Sequence, residues 1–142
     1  MSFNIRVYGI LIHNKKEVLV TDENHTGLSF TKFPGGGLEY GEGLLDCLKR
    51  EFLEELRLSV DIIDLFYLTE HFQPSTFSND EQVLSVYYSV KAPEHELLML
   101  SNSVKSKTGE IPRWISLDQL DESDFMFPID KMVAKKILEN YA

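Results

Sequence analysis

Apolar and polar residues alternate in a strand-like pattern along Phe3 to Ile12, and a second strand is expected along Glu17 to Asp22. A third, short strand is expected near Phe30 to Phe33, before a run of glycines. The period then lengthens. From about Gly43 to Arg57, Leu45, Leu48, Phe52 and Leu56 recur at helical spacing, so this helix should lay one apolar stripe on a sheet. Val60 to Gln73 is rich in Ile, Phe, Tyr and Leu, and Val83 to Val90 has the β-branched and aromatic content of a strand buried on at least one face. After Ala92 and Pro93 the chain turns polar and irregular as far as Gly109. Arg113 to Ser116 reads as a short strand, Leu117 to Leu120 as a helical turn, and Pro128 to Tyr141 as an amphipathic helix with Ile129, Met132, Val133 and Ile137 on its apolar side. Strands before, between and after two helices imply an α/β fold, a mixed sheet covered on both faces.

A chain of 142 residues with 43% hydrophobic content suits a single domain spanning 1–142, and no Pro/Ser-rich linker or repeat divides it. Met1 to Ile12 lacks the charged start, continuous apolar run and small-residue cleavage site of a signal peptide, and no 18-residue apolar run follows. The lone Cys47 has no partner for an internal disulfide and falls within the expected helix, where a small core residue is the natural reading; a reducing cytoplasmic setting fits. The net charge of −9, from 14 basic and 23 acidic residues, opposes non-specific binding to nucleic-acid polymers or anionic membranes.

The acidity is concentrated around the first helix. Between Gly36 and Asp61 stand seven acids and three bases. Glu51, Glu54 and Glu55 are spaced i, i+3, i+4 and so project from one side of a helix, where like charges repel unless a cation sits among them. Three glutamates alone would read as a solvated acidic face, with Lys49 and Arg50 supplying ion pairs. Upstream, however, Pro34, Gly35, Gly36 and Gly37 allow unusual backbone conformations and close approach of main-chain groups to a ligand.

Together, Gly36, Glu42, Arg50, Glu51, Glu54 and Glu55 stand at the spacing Gly-x5-Glu-x7-Arg-Glu-U-x-Glu-Glu-x-Gly-U, and the segment closely resembles the box of Nudix (MutT-like) hydrolases. Two positions depart from it: Arg57 stands where the family has glycine, and Phe52 where it has an aliphatic residue. Neither removes a carboxylate. Arg57 must keep a right-handed conformation or accept a left-handed cost. The resemblance implies an α/β/α sandwich and hydrolysis of the pyrophosphate linkage in a nucleoside diphosphate derivative: a nucleoside triphosphate, a nucleotide sugar or a dinucleoside polyphosphate. It further implies that Glu51, Glu54 and Glu55 ligate a metal together with the Gly35 carbonyl, and that Glu51 acts as a base or orients the attacking water. Arg50 would hold a box glutamate in place, while Gly36 and Glu42 support the loop. All-oxygen ligands indicate Mg²⁺, with Mn²⁺ as an alternative. Arg113 to Leu120 is similar to a late segment of the family, and related proteins often form homodimers.

Outside the box, Glu81 and Glu110 are candidate general bases, each read first as an exposed surface acid. His71 could approach a substrate, but solvation is its ordinary state. Phe30, Phe72, Phe77, Tyr87 and Trp114 are candidates to stack a base, and Lys32 and Arg6 to contact phosphate, although isolated basic residues are usually solvated. Two other readings stay open: a non-catalytic nucleotide sensor on the same fold, marked by a lost box carboxylate, and an RNA-end-trimming enzyme, which needs a basic surface.

Overall fold

In the computed structural model, which describes residues 1–100 and 109–141, strand β1 (Ser2–His13) organises everything else. Along one edge it pairs in parallel with β6 (Glu81–Lys91), from Ser2 opposite Glu81 to Leu11 opposite Val90. Along the other edge it pairs antiparallel with β4 (Gly35–Gly37) and, at its end, with β2 (Glu17–His25). β3 (Leu28–Lys32) and β7 (Ile111–Ser116) both pair with β2, and β5 (Asp61–Leu68) closes the far edge beside β6. The sheet is therefore mixed, in the order β3-β2-β1-β6-β5 with β4 and β7 off that path.

Alternation along β1 separates two cores. Val7 and Leu11 pack with Cys47, Leu48, Phe52 and Leu56 of α1 (Leu44–Leu56), whereas Tyr8 and Ile10 pack with Ile129, Val133, Ala134 and Ile137 of α3 (Pro128–Tyr141). The helices thus cover opposite faces, as the α/β reading expects. Phe52 is accommodated at Gly9, where an added Cβ would lie 2.6 Å from its ring. The large ring at a usually aliphatic position is matched by a strand residue with no side chain.

Several boundaries and faces differ from the pattern. The glycine run is a short strand, because Gly35, Gly36 and Gly37 pair with Tyr8, Val7 and Arg6. Strand β5 stops at Leu68, so the apolar stretch to Gln73 is not one strand. Leu45 is 45% exposed and Cys47 takes its place in the buried stripe, since the helix is turned slightly from the expected apolar face. Met132 is 40% exposed, its sulfur accepting a bond from the Tyr67 hydroxyl, while Asp130 and Ala134 are buried instead. The polar stretch after Pro93 contains a short helix, α2 (Glu94–Leu97), and its residues 101–108 lie outside the described residues. A single 3-10 turn, Glu122–Asp124, closed by a capping box from Asp121, precedes α3.

Arg57 ends α1 in the left-handed region, at φ 57 and ψ 35. Its amide bonds to Leu53 O (3.1 Å) and the amide of buried Leu58 to Phe52 O (3.3 Å), closing the helix in a glycine-type cap. Left-handed backbone is costly for a residue with a Cβ, so Arg57→Gly should stabilise the fold by about 1 kcal/mol in urea denaturation. Loss of stability would mean that the Arg57 side chain contributes more than its backbone costs.

Candidate active site

The acidic face of α1 is organised by Arg50. Its Nε and Nη2 donate to the two carboxylate oxygens of Glu42 (2.9 and 2.6 Å), Nη2 also reaches the Gly37 carbonyl (3.2 Å), and Nη1 donates to Glu51 (3.0 Å) and Glu54 (3.3 Å). A planar fork suits this bidentate arrangement. The pairing with Arg50, helped by the Glu39 amide, draws the Glu42 carboxyl down to about 2, and Glu42 in turn holds the guanidinium firmly protonated. Cys47 lies beneath, fully buried, with its thiol pushed up to about 12 by burial and then by Glu42; it is a core residue and no nucleophile.

Two glycines bring the helix and β4 together. A Cβ on Gly36 would lie 2.5 Å from the Glu51 carboxyl carbon, so only glycine lets that carboxylate settle against the strand. Gly35, at φ 152, would place a Cβ 2.0 Å from the Val7 carbonyl oxygen. Glu51 is in consequence largely buried, at 12% side-chain exposure, whereas Glu54 is 59% exposed. Glu55 is half-buried and forms no ion pair among the described residues.

The three glutamates share one side of α1, as their spacing requires, yet among the described residues no three such side chains close round a single point. Arg50 gathers two of them, Glu51 and Glu54, at one nitrogen, while Glu55 stands apart from that pairing. The donor chemistry nevertheless fits a hard divalent cation: carboxylate oxygens of one sign, one of them seated on a glycine and one without a counter-ion.

A cavity of about 310 Å³ opens between β1, β3, β6, the loop before β6 and the start of α3. Arg6, Tyr8, Lys32, Ser85, Tyr87 and Asp130 face its interior, and Gln73 to Phe77 form one wall. Phe30, Phe77 and Phe127 meet edge-on or tilted, with ring centroids 4.9 to 6.0 Å apart. Lys32 is buried and ion-paired with buried Glu110, whose carboxyl is raised by burial against the opposing pull of Lys32. Asp130, 3% exposed, accepts a 2.6 Å bond from the Tyr87 hydroxyl, and burial raises its carboxyl to about 6 despite that bond and the nearby Lys32 and Arg6.

Comparison with known proteins identifies the family. The NUDIX domain profile matches residues 3–137. The chain belongs to the Nudix family. It is 27% identical over 129 residues to an 8-oxo-dGTP diphosphatase of Buchnera aphidicola subsp. Schizaphis graminum, covering 90% of this chain and 88% of that one. In fold it is similar to a NUDIX hydrolase from Nitrosomonas europaea (TM-score 0.75, 20% identity, 97% and 90% of the two chains). A MutT protein from Methanosarcina mazei Go1 shares the fold as well (TM-score 0.72, 17% identity, 98% and 95%). The expected enzyme class, a Nudix pyrophosphohydrolase, is met.

Within this Nudix domain the weaker candidates separate cleanly. Phe30, Phe77 and Tyr87 line the cavity, but Phe72 is 69% exposed outside it, and Trp114 packs against His13 near the α1 core. Glu110 is buried rather than exposed, because Lys32 compensates it in the interior. Glu81 is half-buried at the cavity rim, accepting from Asn4 at 3.2 Å, and His71 is solvated as expected. Asp130 was not foreseen: an acid in the first turn of an amphipathic helix normally faces water, and only its i, i+3, i+4 relation to Val133 and Ala134 marks the buried side.

Asp130 has a consequence for stability. Its carboxyl lies near 6 in the folded chain against an ordinary value of 3.8, so as pH rises from about 4 the unfolded chain loses this proton first, and folding stability falls until about pH 6. Relative to Asp130→Asn, the native protein should lose stability across that window in chemical denaturation. Parallel stability curves would contradict the buried, proton-retaining state.

Proposed function

We propose that this Nudix domain is a divalent-metal-dependent hydrolase that cleaves a nucleoside triphosphate to the monophosphate and pyrophosphate. One observation carries the reading: the intact acidic face of α1 meets β4, and β4 is paired to the strand whose Arg6 and Tyr8 line an aromatic-walled cavity. In this reading the reacting phosphates and the rest of a nucleotide would take adjoining places. A cavity of this size suits one base and sugar, since ligand pockets begin at roughly 300 Å³. The relative named as an 8-oxo-dGTP diphosphatase supports a triphosphate, oxidised purine forms included, over nucleotide sugars and dinucleoside polyphosphates.

In this reading Glu51, Glu54 and Glu55 hold Mg²⁺ or Mn²⁺, and the Gly35 carbonyl completes the ligand set. Such a cation supplies neutralisation of phosphate charge and a more acidic water. Glu51, seated on Gly36, receives the proton from or orients the water whose oxygen bonds to phosphorus as the bridging P–O bond breaks. Arg50, fixed by Glu42 and Gly37, keeps Glu51 and Glu54 aligned. Phe30, Phe77 and Phe127 supply flat apolar surface for the base. Among the described residues no helix is long and apolar enough to cross a membrane, and a free buried thiol at Cys47 is consistent with a reducing cytoplasm.

The test is pyrophosphate release, read with added inorganic pyrophosphatase, across triphosphates including 8-oxo-dGTP, nucleotide sugars and dinucleoside polyphosphates, with Mg²⁺, Mn²⁺ or chelator. Turnover of a triphosphate that chelator abolishes, and that falls about 100-fold or more in Glu54→Gln and in Glu55→Gln with the fold intact, is expected. Full activity in either variant, or in chelator, would remove the metal assignment.

A further inference from the structure

Two basic side chains reach the cavity from β1 and β3, Arg6 and Lys32, and their surroundings differ. Lys32 is already matched by Glu110. Arg6 forms no ion pair among the described residues, although it is half-buried and stands in a chain of net charge −9. Its Nε donates to the Tyr8 hydroxyl at 2.7 Å, an arrangement that fixes the guanidinium plane and leaves both Nη groups for something else.

The place of that fork is defined by β4. Arg6 is paired with Gly37, and a Cβ on Gly37 would approach Arg6 Nη1 to 3.4 Å, so glycine there leaves room for the guanidinium beside the loop. The neighbouring Gly36 carries the Glu51 carboxylate. Arg6 therefore stands between the cavity and the acidic helix. Partial burial of a guanidinium without a paired carboxylate is costly, and the Tyr8 ring, 5.8 Å away, with the more distant charges of Glu51 and Glu23, offsets it in part. An anion arriving with the ligand would complete it.

We infer that Arg6 is a substrate-positioning residue that binds the phosphate attached directly to the nucleoside, holding it at the mouth of the cavity while the farther phosphates reach the acidic helix. The inference rests on the cavity being the nucleoside site. It separates Arg6 from Arg50, whose donors are consumed by Glu42, Glu51, Glu54 and Gly37 and which holds the protein rather than the ligand.

The test compares 2′-deoxynucleoside 5′-monophosphates, 8-oxo-dGMP included, with the same nucleosides lacking phosphate, by calorimetric titration of the native protein, Arg6→Gln and Arg6→Lys. Thermal unfolding of each is measured alongside. The native protein should prefer the monophosphate. Arg6→Gln should lose about 10- to 100-fold of affinity for the monophosphate while nucleoside affinity stays within about twofold, and Arg6→Lys should recover part of the difference. Equal losses for both ligands, or no loss for either, would overturn the assignment of Arg6 and leave the nucleotide reading standing. Absence of binding for every ligand to the native protein would overturn the nucleotide reading and this inference with it.

Discussion

Without the guanidinium of Arg50 the acidic face of α1 would be a set of mutually repelling carboxylates. With it, Glu42, Glu51 and Glu54 are joined to one cation, and the same group reaches the Gly37 carbonyl on β4. Helix and strand are thereby tied across the place where reaction is proposed to occur. The glycines are the complement of that tie, because a side chain at Gly36 would expel Glu51 and one at Gly35 would push β4 off β1. A buried or half-buried carboxylate is tolerable here because its charge is matched at hydrogen-bonding distance, the condition under which such groups persist.

The other side of β1 follows a different logic. Lys32 and Asp130 line its cavity and Glu110 is buried beside Lys32, where an apolar core would be more stable. Each has a partner, Lys32 with Glu110 and Asp130 with Tyr87, so the cost is limited, and what remains is a polar floor beneath aromatic walls. Groups of this kind are concentrated at sites that bind something. The fold brings the two sides into register simply by alternation: odd residues of β1 support the acidic helix, and even residues form the cavity and the core under α3.

Much of this was legible in the chain. The strands around Phe3 to Ile12, Glu17 to Asp22 and Val83 to Val90 and both long helices follow from periodicity or from β-branched and aromatic content, and the box residues from fixed spacing. The misreadings have physical causes. Leu45 and Met132 are apolar but sit just off the buried stripes, an angular error that periodicity does not resolve. Gly35 to Gly37 looked like a loop because glycine has no strand preference, while pairing with β1 needed its bare backbone. Glu110 looked like a surface acid and Asp130 drew no reading at all, because their compensation comes from residues far away in sequence, Lys32 and Tyr87, which no local pattern announces.

The central claim is that the acidic face of α1 is a divalent-metal site, and direct measurement of metal binding tests it without reference to turnover. Mn²⁺ titrated into the protein and followed by electron paramagnetic resonance should show saturable binding that is lost when Glu51, Glu54 and Glu55 are all changed to Gln, with the fold preserved by circular dichroism. Binding that survives unchanged in the triple variant would contradict the account.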